Sequence, residues 1–451
     1  MNIEKGLDKI VKTIRVMITD QPGFLGKLTT AIGSEGGNIG DVRLLRSGLT
    51  HNVREITVYV DSDQHLERIL QAVGQVEGVS IEEVIDRVQK VHEGGKIAVK
   101  SRVELETIGD VRKIYTPGVA SICRQIQKQP ELAQRYTSIS NSVAIVTNGT
   151  AILGLGDIGP VAGMPVMEGK AVLFDKLVGI SGIPILLDSK DPEQIVETVC
   201  RIAPTFGAIK LEDIAAPDCF EIERKLVDRL DIPIMHDDQH GTAVVVLASL
   251  LNVTRFTSTR LQNATVGIIG LGAAGTGIAK LLMAYGVKQV FGTDLSQAAM
   301  AMHEANGGVA TDLAGLMEQS PIVVATTGCP GLIKPEMVRP GQVILALSNP
   351  DAEIKPQQAL EAGASFAADG KSINNALAFP GIFRGALNAR ACRINNRMLI
   401  AAAKVIAQYA EEGELVPGIL NPEVHTAVAD AVAQAARVSG AVTVAPTAVA
   451  G

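Results

Sequence analysis

Apolar and polar residues alternate along 13–18 and again along 55–60, the period of a half-buried strand. Between and after these runs the spacing lengthens to that of helices. The first, over 26–34, is stopped by Gly36-Gly37; the second is capped by Asp61 or Ser62 and runs to Val76. Strands at 39–45 and 79–88 and a turn over 47–52 complete the order βαββαβ. Residues 8–90 thus read as a ferredoxin-like split-βαβ sandwich. A polar junction, His92-Glu93-Gly94-Gly95-Lys96, follows as a linker.

Beyond the junction the pattern changes. Strands become continuous apolar runs (143–147, 183–187, 208–211, 232–235), as in parallel sheets covered on both faces. Helices are expected over 119–128, 171–181, 192–203 with Asp191 as cap, 216–230 and 241–252. Residues 151–159 read as a strand entering a glycine loop. The alternation resumes at 266–269 and 290–294 and ends in alanine-rich helices at 390–408 and 422–438. The fold class is α/β: an α/β domain over 96–258 and a Rossmann-type dinucleotide-binding domain over 259–440, with 441–451 as a fraying tail.

Composition narrows the class. At 451 residues, several domains are needed; 47% hydrophobic content with 3% aromatics, no Trp and 45 Gly suits an enzyme built on parallel strands. A net charge of −7 with interspersed signs argues against nucleic acid or a membrane surface as partner. The run 243–251 is too short for a membrane span. Five scattered cysteines without a C-x-x-C, and no apolar leader after Met1, point to reduced thiols in a cytoplasmic protein.

Two acidic pairs, Glu212-Asp213 and Asp237-Asp238, each end an apolar segment. A carboxylate at a buried strand end is costly unless protonated, paired or bound to a cation. Either pair alone could be a cap or a solvated loop; converged, they supply hard oxygen ligands for Mg²⁺ or Mn²⁺. The run Gly270-Leu271-Gly272-Ala273-Ala274-Gly275 closes a strand and opens a helix, the context of a dinucleotide fingerprint. Asp294, at the end of the second strand, favours NAD over NADP through the ribose hydroxyls, although an acid here does not always exclude the 2′-phosphate. A second match, Gly154 to Gly159, is followed by Pro160 and by Gly163-Met164-Pro165, which leave it no helix-compatible continuation, and reads as a tight loop lining a cleft rather than a second coenzyme site.

Lys170, between a glycine turn and an apolar run, reads either as a base or as a snorkelling helix lysine. Tyr115, ahead of Thr-Pro-Gly, is a proton donor or a packed ring. Asn349 and the pair Asn374-Asn375 lie at ends of later strands, where amides orient substrate or nicotinamide or simply form turns.

The ordered runs Tyr115-Thr-Pro-Gly-Val-Ala, Gly154-Leu-Gly-Asp-Ile-Gly, Met164-Pro-Val-Met-Glu-Gly-Lys170, Leu211-Glu-Asp-Ile, His236-Asp-Asp-Gln-His-Gly-Thr-Ala and Ser348-Asn-Pro closely resemble the malic enzymes, in their shorter bacterial type, over residues 96–440. Asp20-Gln-Pro-Gly-Phe-Leu-Gly-Lys-Leu and Gly36-Gly-Asn-Ile resemble an ACT domain. The malic resemblance implies oxidative decarboxylation of L-malate to pyruvate, with oxaloacetate decarboxylation as a side activity. It implies Glu212, Asp213 and Asp238 as cation ligands, Lys170 as general base tuned by Asp237, Tyr115 as the acid that protonates enolpyruvate, and Asn349 and Asn375 as malate contacts. The arginine that larger members carry just before the Gly154 loop is missing from Thr147 to Leu153, which leaves the carboxylate clamp unassigned. Malolactic conversion is the runner-up. An amino-acid dehydrogenase would not explain the acidic pairs. For the ACT-like unit, an amino acid or other small effector near Asp20 and Asn38 competes with a ligand-free dimerisation role. The chain is expected to form a homo-oligomer, a dimer or larger.

Overall fold

In the computed structural model the chain divides into two compact units, 1–98 and 99–451. The structure describes residues 9–152, 154–256, 260–371 and 373–442, with side chains of 255 and 256 excepted. The expected domain boundary at 258–259 and the expected tail beyond Val442 lie outside the described residues.

The first unit has β1 (Ile10–Thr19), α1 (Phe24–Ser34), β2 (Asn38–Ser47), β3 (His51–Val60), α2 (Asp63–Gly74), β4 (Val79–Asp86) and a short α3 (Arg87–His92). The antiparallel sheet has the order β2-β3-β1-β4. Alternation turns Ile14, Val16 and Ile18 inward, onto Leu28, Ile32, Ile69 and Val73 of the two helices. Ser62 caps α2 by accepting from the His65 N–H. A Cβ on Gly37 would stand 2.8 Å from Ile32 and from Ile69, so this glycine is required for helix–sheet packing.

The second unit opens with three short helices, α4 (Ile108–Ile114), α5 (Val119–Lys128) and α6 (Ala133–Tyr136), none with a fully buried side chain. Then come β5 (Ser142–Thr147), α7 (Pro160–Val178), β6 (Ser181–Leu186), α8 (Pro192–Ile202), β7 (Ala208–Leu211), α9 (Asp218–Arg229), β8 (Ile234–His236) and α10 (Asp237–Phe256). Their parallel sheet has the order β6-β5-β7-β8. A six-stranded parallel sheet follows, from β9 (Thr265–Ile269), α11 (Ala273–Tyr285), β10 (Gln289–Thr293), α12 (Gln297–Ala305), β11 (Val309–Ala310), α13 (Leu313–Gln319), β12 (Ile322–Ala325), β13 (Val343–Ala346), α14 (Pro356–Glu361) and β14 (Phe366–Asp369). Its order, β11-β10-β9-β12-β13-β14, is the dinucleotide-binding 3-2-1-4-5-6. Helices α15 (Phe379–Ala389), α16 (Asn396–Gln408) and α17 (Pro422–Val438) complete the unit. The apolar centre of α10, from Val244 to Leu250, shares one core with both sheets and with α15 to α17.

Two expectations fail around residue 155. Among the described residues of 151–159 no strand forms; Gly154, Gly156 and Gly159 all take positive φ, and an isolated bridge joins Ile152 to Gly156. Pro160 does not block a helix either. It starts α7, because a first-turn residue has no intrahelical use for its N–H. Lys170 therefore sits in mid-helix, as the eleventh residue of the element.

Candidate functional site

Strands β7 and β8 are parallel neighbours with Leu211 opposite His236, so the next residues, Glu212 and Asp237, leave the sheet side by side. Asp237 and Asp238 form the first turn of α10, where the helix dipole favours negative charge. Asp213 takes φ 53, a left-handed conformation that Asp tolerates better than most residues, and its N–H donates to Asp238 Oδ2 at 3.0 Å. The two acidic pairs thus converge. One carboxylate oxygen each from Glu212, Asp213 and Asp238 lie within 4.8 Å of one another.

This set fits a hard divalent cation on its own chemistry. Asp213 Oδ2 is buried and makes no hydrogen bond among the described residues, whereas the buried Glu212 Oε2 meets the Lys210 ammonium. Burial, reinforced by the Asp238 carboxylate, pushes Asp213 up to about 7. Negative charge is in excess there, and three oxygen donors suit Mg²⁺ or Mn²⁺.

Lys170 reaches this cluster from α7. Its Nζ donates to Asp237 Oδ2 at 2.9 Å and Asn375 Oδ1 at 3.2 Å, and lies 2.9 Å from Glu212 Oε1. Burial works against the charged amine, but Asp237, Asp238 and Asp213 outweigh it and hold Lys170 above the ordinary lysine value. Asp237, which burial would raise, is held below the usual carboxylate range by Lys170 and Lys210. Gly241 allows this closeness. A Cβ there would come within 2.1 Å of Asp237 Oδ1 and 3.2 Å of the Asn375 Cβ.

Lys210 is the residue that sequence reasoning missed. Within β7, Ala208 and Lys210 face one side and Ile209 and Leu211 the other. Lys210 is fully buried, 2.9 Å from Asp237 Oδ2, in contact with Glu212 and 4.5 Å over the Phe379 ring. Desolvation pulls its pKa down to about 8. The available signal was a cation inside a four-residue apolar strand, two positions before an acidic pair.

Behind the cluster, Glu223 of α9 accepts from the His236 N–H (2.7 Å), Gln239 Nε2 (3.1 Å) and His240 Nε2 (3.0 Å), which ties down the start of α10. Burial would raise Glu223, but His240 and His236 hold it below the usual range; burial would lower His240, but Glu223 holds it up.

The glycine loop joins β9 to α11. A Cβ on Gly270 would meet Thr326 O at 2.9 Å, and one on Gly275 would strike Gly270 O. Nothing lies within 4 Å of the Cβ position at Gly272, which leaves open space at the N-terminus of α11, where Ala273 and Ala274 begin the helix. Asp294 follows β10 and accepts from the Leu271 N–H (2.7 Å) and the Ser296 N–H (2.8 Å). Asn349 follows β13. Its neighbour Ser348 and the Thr327 hydroxyl both donate to the buried Glu353, at 2.5 and 2.9 Å. The Cβ position of Gly154 is 3.6 Å from Asn349 O and from Pro350 Cδ, so the glycine-rich loop after β5 abuts the Asn349 loop.

Tyr115 is not brought to this cluster by its own chain. It caps α4, is 70% exposed and makes no side-chain hydrogen bond among the described residues. In the first unit, Asp20 accepts from Asn52 Nδ2 at 2.7 Å, and Asn38 is exposed at the start of β2. Among the described residues no helix is long and apolar enough to cross a membrane.

Residues 95–227 match the sequence profile of the malic enzyme N-terminal domain, residues 239–323 and 319–443 that of the malic enzyme NAD binding domain, and residues 9–81 that of the ACT domain. The NAD-dependent malic enzyme 1 of Bacillus subtilis is 55% identical over 429 residues, covering 95% of this chain and 98% of that protein. The bifunctional malic/malolactic enzyme of the same organism is 42% identical over 389 residues, 80% of this chain and 94% of that protein. The solved structure of the malic enzyme from Pyrococcus horikoshii superposes with a TM-score of 0.73 at 39% identity, over 78% of this chain and 89% of that one. With both catalytic domains matched in order and an ACT domain ahead of them, the chain belongs to the malic enzyme family.

Proposed function

We propose that this chain oxidises L-malate to pyruvate and CO₂ with NAD, using a divalent cation held by Glu212, Asp213 and Asp238. The observation that carries the reading is Lys170 hydrogen-bonded to Asp237 beside the three-carboxylate set. When bound, the cation supplies Lewis acidity at the malate C2 oxygen and the nicotinamide accepts the hydride from C2.

Lys170 takes the C2 hydroxyl proton as C2–H leaves as hydride, giving oxaloacetate. The C3–C4 bond then breaks, CO₂ departs and its bonding pair forms enolpyruvate, which Tyr115 protonates at C3. Asn375, within 3.2 Å of Lys170 Nζ, is placed to orient malate, with Asn349 on the coenzyme side. Against burial, Asp237 does most to keep Lys170 an ammonium and stays with the lysine, while Asp238 and Asp213, which add to it, are carboxylates a cation would neutralise. That links base function to metal loading.

Tyr115 requires a second copy in this reading. Apolar side chains line its arm, with Val103, Leu105, Ile108 and Ile114 exposed, and three short unburied helices are marginal alone. We therefore place the arm of one copy against another in a homo-oligomer. Malolactic conversion is the second reading, favoured by the bifunctional relative. We assign the ACT domain a regulatory role through a small ligand near Asp20 and Asn38. If no amino acid alters the kinetics of the full-length protein, that role is wrong.

The test is initial rates with L-malate and NAD or NADP, with Mn²⁺ or chelator, and product analysis for pyruvate and lactate. Pyruvate with stoichiometric NADH is expected, and about a thousandfold loss of kcat in Lys170→Ala. Turnover retained in that variant, or after complete chelation, rules the mechanism out.

A further inference from the structure

Lys170, Glu212, Lys210 and Asp237 form a closed ring of alternating charge. Each carboxylate touches both amines: Glu212 through Oε1 to Lys170 and through Oε2 to Lys210, Asp237 through Oδ2 to both. Both Nζ atoms stand over the face of Phe379, at 5.0 and 4.5 Å. The two lysines are not equivalent. Lys170 keeps 13% side-chain exposure and bonds Asn375, whereas Lys210 has 0% and sits on the strand side of the ring.

A group out of reach of solvent has no path for taking a proton from a substrate hydroxyl. Lys210 therefore acts through its neighbours. Buried carboxylates without counter-charge destabilise a fold strongly, and breaking a buried pair costs more than the pair itself contributes. The shared partner, Glu212, is also one of the three oxygen donors of the cation set.

We propose that Lys210 is a resident counter-cation, a positioning residue that holds Glu212 and Asp237 in place without metal and competes with the divalent cation for Glu212. The inference rests on the reading of Glu212 as a cation ligand. Its consequence runs against ordinary damage. Loss of Lys210 destabilises the metal-free protein yet tightens cation binding, because Glu212 is released to the ion and one repelling charge is gone. Harm to packing alone would weaken both.

The experiment uses full-length, chelator-treated protein and follows Mn²⁺ binding by electron paramagnetic resonance, with thermal melting alongside. Lys210→Met and Lys210→Gln are expected to bind Mn²⁺ at least about tenfold tighter than wild type, the repulsion between a unit charge and a dication several ångströms apart even under full water screening. Their metal-free Tm is expected to fall by about 5 °C and to recover with Mn²⁺. Lys210→Arg, which keeps the charge, is expected to bind Mn²⁺ as wild type does. If a neutral variant does not fold without metal, it is expected to fold when Mn²⁺ is added. Equal or weaker Mn²⁺ binding in both neutral variants, or failure to fold even with Mn²⁺, overturns the proposal. Glu212→Gln separates the two levels: if it leaves Mn²⁺ affinity unchanged, the ligand assignment itself has failed, whereas weakened binding there leaves Lys210 alone in question.

Discussion

The two parallel sheets of residues 99–451 end in sites built from different materials. The six-stranded sheet ends in backbone, where Gly270, Gly272 and Gly275 provide a tight turn, open space and a helix N-terminus. The four-stranded sheet ends in side chains, four carboxylates and two lysines drawn together at the tips of β7 and β8. A dinucleotide carries its own charge and is met by fixed N–H groups and vacant volume. A small cation must be met by ionised oxygens, whose charge has to be balanced whenever the ion is away. The first kind of site fails when atoms are added. The second fails when a carboxylate loses its charge.

That contrast is tested hardest by the acidic pair that one helix turn presents to two different partners. Asp238 lies with Glu212 and Asp213 in the three-carboxylate cluster proposed to hold the cation, while Asp237 faces the lysines. Asp238→Asn is expected to weaken Mn²⁺ binding about a hundredfold, since one of three anionic ligands is lost. Asp237→Asn is expected to lower kcat by a similar factor, about a hundredfold, with Mn²⁺ affinity kept within about threefold. Titration of both variants with Mn²⁺, beside steady-state rates, checks the division. Equal loss of metal by both would make the four carboxylates one undivided patch.

The glycine loop between β9 and α11 was readable as structure because strand, loop, helix and Asp294 all lie within about thirty residues of chain. The six-stranded order follows from the same alternation. At the cation end, the acidic pairs stood out as charges closing apolar runs, but their partition depends on groups far away in sequence. Lys170 meets Asp237 across 67 positions and Asn375 across 205. Lys210 looked like an ordinary strand residue because which face of β7 is buried, and against what, is decided by Phe379. Pro160 was misread as a breaker although the first helical turn accepts it. Tyr115 shows the limit of motif reading in the other direction. Its motif is plain, yet the single chain leaves it exposed.

A smaller effect is expected where an atom is added to the coenzyme end. Gly272 has φ −69 and open space at its Cβ position, so alanine is compatible with the fold itself. Gly272→Ala is expected to leave Tm and the malate KM unchanged while raising the NAD KM about tenfold, because the methyl enters the volume the pyrophosphate would cross. A drop in Tm instead would show that this glycine serves the fold. Unchanged NAD kinetics would move the coenzyme away from this loop.

The smallest effect concerns pH, and it separates the two ends by their chemistry. Asp213, raised from 3.8 to about 7 by burial and by Asp238, keeps a proton in the folded metal-free protein that the unfolded chain releases. The folded state then binds more protons across that window, so this group makes stability fall as pH climbs from about 4 to about 7. A divalent cation needs Asp213 ionised and must displace that proton below about pH 7, whereas above it no proton has to leave. The Tm gain from saturating Mn²⁺ is therefore expected to be larger at about pH 8 than at about pH 5.5, by roughly 3 °C, and Asp213→Asn should flatten the difference. The Tm gain from NAD, whose pyrophosphate is proposed to meet backbone N–H groups, is expected to stay level over the same window. Parallel pH profiles for Mn²⁺ and NAD would mean that Asp213 does not carry the proton, and that the contrast between the two sheet ends is one of shape rather than of charge.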